Sequence, residues 1–198
     1  MDINRLYRGL LKAVRRVKWQ IMSFCERCHL GLMGVELGNG LIFKGWSIVQ
    51  RYDNSTIKIG AKCSFNSSIV TNPIGINHRC LITTMKEGSK IIIGEGCGFS
   101  GVSITSFESI TIGNNVRIGA NCVIMDGDFH LDDPRVSEPK PIKICDNVWL
   151  GYGVVVMKGV TIGENSVIGV NSVVTKDIPA NVIAAGTPCK VIKSIASK

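Results

Sequence analysis

The chain has 198 residues, 45% apolar and 19% charged, and a formal charge of +8. This excludes a disordered polypeptide and leaves room for one domain with a substantial core. Seven Lys/Arg against Asp2 and Glu26 put +5 into residues 1–30, so the remainder carries only +3; with no DNA or RNA recognition motif, a nucleic-acid binder is excluded.

Residues 1–30 form a segment of their own. Leu6, Leu10, Val14, Val17, Ile21 and Phe24 recur at three- and four-residue intervals among arginines and lysines, which predicts an amphipathic helix. Two readings are open for it: a helix capping one end of the fold, or a helix touching an anionic membrane surface or a lipid-linked acceptor. Cys25-Glu26-Arg27-Cys28-His29 satisfies the C-x-x-C-H haem-attachment pattern. Haem attachment would need export and a second axial ligand, and two cysteines one helical turn apart suit packing as well, so neither haem nor metal is expected. No signal-peptide pattern and no apolar run of about 18 residues is seen. A cytoplasmic protein is the expectation, with membrane association through residues 1–30 left as one of the two open readings of that helix.

Residues 31–195 are read as a second unit with a different rule. Over the whole chain, eight scattered cysteines do not suit a secreted disulfide scaffold, and 22 glycines with few aromatics favour short strands and tight turns. From Ile144 an aliphatic residue recurs every six positions: Ile144, Leu150, Val156, Ile162, Ile168, Val174. Glycine often follows it (Gly151, Gly163, Gly169), and a small or β-branched residue stands four places on (Val148, Val154, Val160, Ser166, Ser172, Ile178). The same unit occurs at Ile59-Gly60, Ile93-Gly94, Ile112-Gly113, Ile118-Gly119 and Ile124. Cys63, Cys97 and Cys122 take repeating positions where a small apolar side chain is wanted. A period of six fits neither a helix nor a hairpin meander. It predicts an all-β coil with three short strands per turn, its aliphatics pointing inward and stacking on those of neighbouring coils.

The phase slips locate the irregular parts. One residue beyond three hexads separates Ile93 from Ile112, which predicts a bulge or a wider corner. The spacing from Ile124 to Ile144 is twenty, and residues 130–143 are polar with three prolines, which predicts a projecting loop. The repeat stops at Asp177-Ile178-Pro179, and the tail through Lys193 is expected to finish as a short strand or helix.

Four stretches carry a family resemblance: Asp146-Asn147-Val148-Trp149-Leu150-Gly151, Gly159-Val160-Thr161-Ile162-Gly163, Val173-Val174-Thr175-Lys176-Asp177-Ile178-Pro179 and Ala185-Gly186-Thr187-Pro188-Cys189-Lys190-Val191-Ile192. Together they resemble the hexapeptide-repeat O-acetyltransferases, including galactoside, maltose, nodulation, polysaccharide and xenobiotic enzymes. The resemblance is dense over 112–195, diffuse over 40–111 and absent from the first thirty residues. It implies a left-handed parallel β-helix, a homotrimer with active sites between adjacent subunits, and acetyl-CoA as co-substrate.

Met125-Asp126-Gly127-Asp128-Phe129-His130 resembles the segment that ends in the catalytic histidine of the xenobiotic acetyltransferases. His130 also falls where the coil would place its next inward aliphatic. The chemistry wants such a group: a sugar hydroxyl is a poor nucleophile, and imidazole titrates near neutrality. Asp126 and Asp128 are placed to orient the imidazole or to cap the loop; both readings are open. By resemblance the backbone N–H of Tyr152 stabilises the oxyanion and Trp149 borders the site. Gly151, Val170, Thr175 and Lys176 line the CoA groove, and Lys190 and Lys193 match arginines that face the nucleotide phosphates. Cys122 and Cys145 lie near these coils, but neither falls in a nucleophile motif, so direct transfer is expected.

The resemblance therefore implies transfer of acetyl from acetyl-CoA to a hydroxyl of a sugar or glycoconjugate. Acetylation of an antibiotic is the alternative enzyme, and a non-catalytic β-helix binding protein the alternative class. Sugar-specific relatives carry Asn and Asp in the coil before the histidine; here that stretch is Phe99–Glu108, which points away from galactoside or maltose.

Overall fold

The computed structural model describes residues 2–130 and 132–195; Met1, Leu131 within the predicted loop, and residues 196–198 lie outside the described residues. A long helix, α1 (Ile3–Leu32), precedes six coils. The first two coils are β1 (Glu36–Leu37), β2 (Ile42–Lys44), β3 (Ile48–Gln50) and β4 (Thr56–Ile59), β5 (Ser64–Asn66), β6 (Leu81–Thr84). The middle two are β7 (Lys90–Ile93), β8 (Gly98–Ser100), β9 (Ser103–Ser106) and β10 (Ser109–Ile112), β11 (Arg117–Ala120), β12 (Val123–Met125). The last two are β13 (Ile142–Ile144), β14 (Trp149–Leu150), β15 (Val155–Val156) and β16 (Thr161–Ile162), β17 (Val167–Ile168), β18 (Val173–Val174). A hairpin of β19 (Val182–Ala185) and β20 (Lys190–Ser194) closes the chain.

Every third strand lies in the same sheet, so the coil has three parallel faces, β1-β4-β7-β10-β13-β16, β2-β5-β8-β11-β14-β17-β19 and β3-β6-β9-β12-β15-β18. This is a left-handed parallel β-helix. The hexad aliphatics are its interior: Ile112 sits over Ile144, Leu150 over Ile168 and Val156 over Val174, all buried. Each such side chain contributes about 1.5–3 kcal/mol on burial. Nearer α1 the second face stacks Phe43, Phe65 and Phe99 at 5.0 and 4.8 Å between ring centroids, so phenylalanine fills the hexad slot there.

Corners set the stacking distance. A Cβ on Gly119 would lie 2.6 Å from the Gly151 carbonyl carbon of the next coil, so only glycine fits. Asn147, Asn165 and Asn181 take the left-handed conformation at successive first-to-second corners, and their amides form a ladder, Asn147 donating to Asn165 and Asn165 to Asn181 at 3.0 Å each.

The slip between Ile93 and Ile112 resolves into two opposite irregularities. Phe99 to Ile104 is one residue short of a hexad, and Ile104 to Ile112 is two longer. The added residues make a wide third-to-first corner at Ser106–Glu108. The projecting loop runs from 126 to 141 rather than 130–143, because Ile142 and Lys143 already pair with Ile110 and Thr111 in the first face. A second excursion, residues 67–80, leaves at the second-to-third corner and was not foreseen. The tail is a strand hairpin with no helix: β19 continues the second face in parallel and β20 returns antiparallel.

The helix runs two residues past its expected end and caps the open edge of the first coil, but not with its apolar stripe. Ser23 Oγ accepts the Phe43 N–H at 2.8 Å, and Glu26 Oε1 accepts the Ser47 N–H at 2.8 Å. Those N–H groups belong to a coil with no neighbour beneath it, so the edge needs acceptors and a polar helix face supplies them. Ser23, Glu26 and Leu30 are the buried helix residues.

Candidate active site

The four loop residues ahead of His130 are each tied down. Asp126 is fully buried and its carboxylate accepts from Ser106 Oγ (2.9 Å), the Phe107 N–H (2.5 Å) and the Glu108 N–H (3.0 Å). It thus closes the wide corner and does not orient His130, which settles one open reading. Gly127 lies against the Phe107 ring, where a Cβ would come within 2.7 Å. Phe129 meets the same ring edge-on at 5.5 Å. Asp128 Oδ2 accepts from Lys158 Nζ at 2.5 Å, so this carboxylate serves the loop as well.

Lys158 was not foreseen from the sequence. It occupies the same corner one coil further, is largely buried, and also donates to the Ser137 carbonyl at 2.6 Å. One ammonium therefore joins the outgoing and returning limbs of the loop. Main-chain bonds from Lys140 to Asp126 (2.8 Å) and from Gly159 to Lys140 (3.0 Å) close its base. The far end carries the exposed Asp133–Arg135 pair, whose guanidinium holds the Asp133 carboxyl below its ordinary range. His130 itself is exposed, with its carbonyl accepting the Asp133 N–H at 3.1 Å. It does not take an inward aliphatic position, because the chain has left the coil after Met125.

The other predicted residues divide between two corners. Thr175 and Lys176 are exposed on the third-to-first corner, above His130 and Lys158. Trp149, Gly151, Tyr152 and Val170 lie at the second-to-third corner, with exposed Lys190 and Lys193 on β20 of the same second face. Trp149 points outward, 53% exposed, between Arg117 and Val167 of neighbouring strands. The Gly151 N–H is committed to Ile168 at 2.8 Å. The Tyr152 carbonyl accepts from Asn171 at 2.8 Å, while the Tyr152 N–H donates to no protein acceptor among the described residues. One side of the prism, a hexad of strand and turn, separates His130 from Tyr152 within a chain. At about 3.3 Å per residue that is roughly 15–20 Å.

The second excursion stands on the Tyr152 corner. Its His78 Nε2 lies 2.9 Å from Ser103 Oγ, and Asn121 Oδ1 accepts the Asn77 N–H at 2.8 Å. Cys122 offers no nucleophile here: it is buried, its thiol donates to the Gly151 carbonyl at 3.0 Å, and burial pushes its pKa up to about 11. Cys63 and Cys97 are buried in the equivalent slot.

Comparison with known proteins adds the following. The family described as bacterial transferase hexapeptide (six repeats) matches residues 141–176. Galactoside O-acetyltransferase of Escherichia coli is 46% identical over 114 residues, covering 54% of this chain and 56% of that protein. A maltose O-acetyltransferase structure from Clostridium difficile is 31% identical over 80% of this chain and 71% of the other, at a TM-score of 0.39. A hexapeptide-repeat acetyltransferase structure from Vibrio cholerae shares the fold at a TM-score of 0.56, with 24% identity over 100% and 95% of the two chains. The chain spans about half the length of the curated relatives it matches. By its repeat and by these identities, the chain belongs to the hexapeptide-repeat transferase family.

Proposed function

We propose that this protein transfers acetyl from acetyl-CoA to a hydroxyl of a sugar or glycoconjugate, with His130 as general base. The observation that carries the reading is the exposed His130 on a loop whose every preceding residue is anchored. A rigid mount for one imidazole is what general-base chemistry needs, since proton transfer demands hydrogen-bond reach and fixed direction. The imidazole removes the hydroxyl proton as the oxygen attacks the thioester carbonyl. The Tyr152 N–H, which has no protein acceptor, donates to the oxyanion that forms. Collapse breaks the C–S bond, and the imidazolium returns its proton to the departing CoA sulfur.

Within one chain His130 and Tyr152 stand on different corners, too far apart to share an acyl carbon. The reading therefore includes a homotrimer in which the His130 corner of one copy faces the Tyr152 corner of its neighbour. CoA then lies between them, along Trp149, Gly151, Val170, Thr175 and Lys176, with its phosphates toward Lys190 and Lys193. Both lysines are exposed and able to meet an anion as point charges. The 67–80 excursion stands on the Tyr152 side, where its polar groups would meet the acceptor.

The test is thiol release from acetyl-CoA against a panel of galactosides, other sugars, polysaccharide fragments and hydroxylated antibiotics. Wild type is expected to turn over a glycan hydroxyl, and His130→Ala to lose about 100-fold or more. Equal rates for the two proteins sink the assignment. Turnover confined to an antibiotic sinks the sugar acceptor while leaving His130 standing.

A further inference from the structure

The apolar stripe of α1 is unused by the fold. Leu6, Leu10, Val14, Val17, Ile21 and Phe24 are each between 53% and 63% exposed. At 3.6 residues per turn, the docked residues Ser23, Glu26 and Leu30 centre on a direction roughly 180° from that stripe. The helix is therefore fixed to the β-helix by one face and holds the opposite face away from it. Exposed Trp46 extends the apolar surface onto the first coils, lining a cleft with Val14, Val17 and Ile21.

We propose that α1 docks this protein on an anionic lipid bilayer, lying in the plane of the surface with its stripe immersed. Charge selects this occupant. The segment carries seven Lys/Arg, and its two acids are already engaged, Asp2 capping the helix N-terminus and Glu26 buried against Ser47. A bundle of several copies of α1 would bring these cations together with no free carboxylate to offset them. An acidic headgroup layer supplies the missing anions, while the stripe, about 30 Å long at 1.5 Å per residue, enters the acyl boundary. Trp46 suits the interfacial level. Among the described residues no helix is long and apolar enough to cross a membrane. This goes beyond acetyl transfer and does not depend on it.

Flotation of the full chain with vesicles tests the proposal. Wild type is expected to float with phosphatidylcholine–phosphatidylglycerol vesicles, to stay behind with pure phosphatidylcholine, and to be released by salt. Val14→Asp/Val17→Asp and Arg15→Glu/Arg16→Glu should each cut the bound fraction roughly tenfold or more. Both should keep the wild-type thermal melt, because all four side chains are exposed and none makes a hydrogen bond or ion pair among the described residues. Wild type that fails to float, or that floats equally with both variants, overturns the proposal. It also fails if vesicles bind neither protein while Val14→Asp/Val17→Asp disperses an assembly that wild type forms; the stripe is then an interface between copies.

Discussion

Lys158→Met isolates the one side chain that joins both limbs of the His130 loop. The substitution keeps the aliphatic stem and deletes an ammonium bonded to Asp128 at 2.5 Å and to the Ser137 carbonyl at 2.6 Å. Charge-assisted hydrogen bonds contribute about 1.5–3 kcal/mol each, and Asp128 is a third exposed, so about 2 kcal/mol is the working figure for the pair. Closing a flexible loop the length of 126–141 costs about 2.5 kcal/mol. The anchor and the closure entropy are therefore of one size, and removing the first frees the loop. If catalysis needs the anchored loop, 2 kcal/mol lowers kcat about 30-fold. KM for acetyl-CoA should change little, because the proposed CoA contacts lie on other strands. Lys158→Arg should recover most of the rate, and the melting temperature of the coil should hold, since no core side chain is touched. A kcat within about twofold of wild type for Lys158→Met, in a protein shown to be active, refutes the argument.

Asp126→Ala removes three acceptor contacts from a fully buried corner and orphans the Phe107 and Glu108 N–H groups, Ser106 keeping the Lys90 carbonyl; a loss of about 4 kcal/mol is expected in chemical denaturation. Phe65→Ala empties the middle of the three-ring stack and should cost about 3–5 kcal/mol by the same measurement. Glu26 is fully buried, and one carboxylate oxygen has no partner among the described residues. Burial raises its pKa, so the folded state holds the proton more tightly than the unfolded one. The charged form then costs stability above the folded pKa, and the cost vanishes below the unfolded value. Glu26→Gln should therefore stabilise at neutral pH by an amount on the order of 1 kcal/mol, with the gap to wild type closing as pH falls through the acid range.

The coils from Ile144 to Val174 were readable because each side of the prism asks for the same thing, one inward aliphatic per hexad, and nothing there interrupts the phase. Legibility fades toward α1 for two physical reasons. Phe43, Phe65 and Phe99 fill the inward slot with a side chain that aliphatic periodicity does not register. The 67–80 excursion also shifts the phase with a single proline, Pro73, against the three that marked 126–141. At the site, sequence placed His130 on a loop but could not assign its carboxylates. Asp126 and Asp128 stand two residues apart, yet one turns inward to cap a corner and the other turns to Lys158, 30 residues away. That choice is made by which groups the next coil brings alongside, and spacing within one segment carries no trace of it.

The same reasoning accounts for the helix. A strong apolar stripe invites the expectation that the stripe is what docks. The docking surface here is the edge of a β-helix, and an edge presents unpaired main-chain groups before it presents hydrocarbon. Phe43 and Ser47 offer N–H donors that would otherwise be buried unpaired under a cap, at about 1–3 kcal/mol each. Ser23 and Glu26 answer them, so the polar face is consumed and the apolar face is left outside. The residues that end the β-helix are thus the ones that determine where the stripe points. His130 lies three coils from that end, about 15 Å at the inter-strand spacing. A chain resting on α1 would hold its His130 corner that far above the helix, and so about 25 Å above the helix's outer face once the roughly 10 Å thickness of the helix is added.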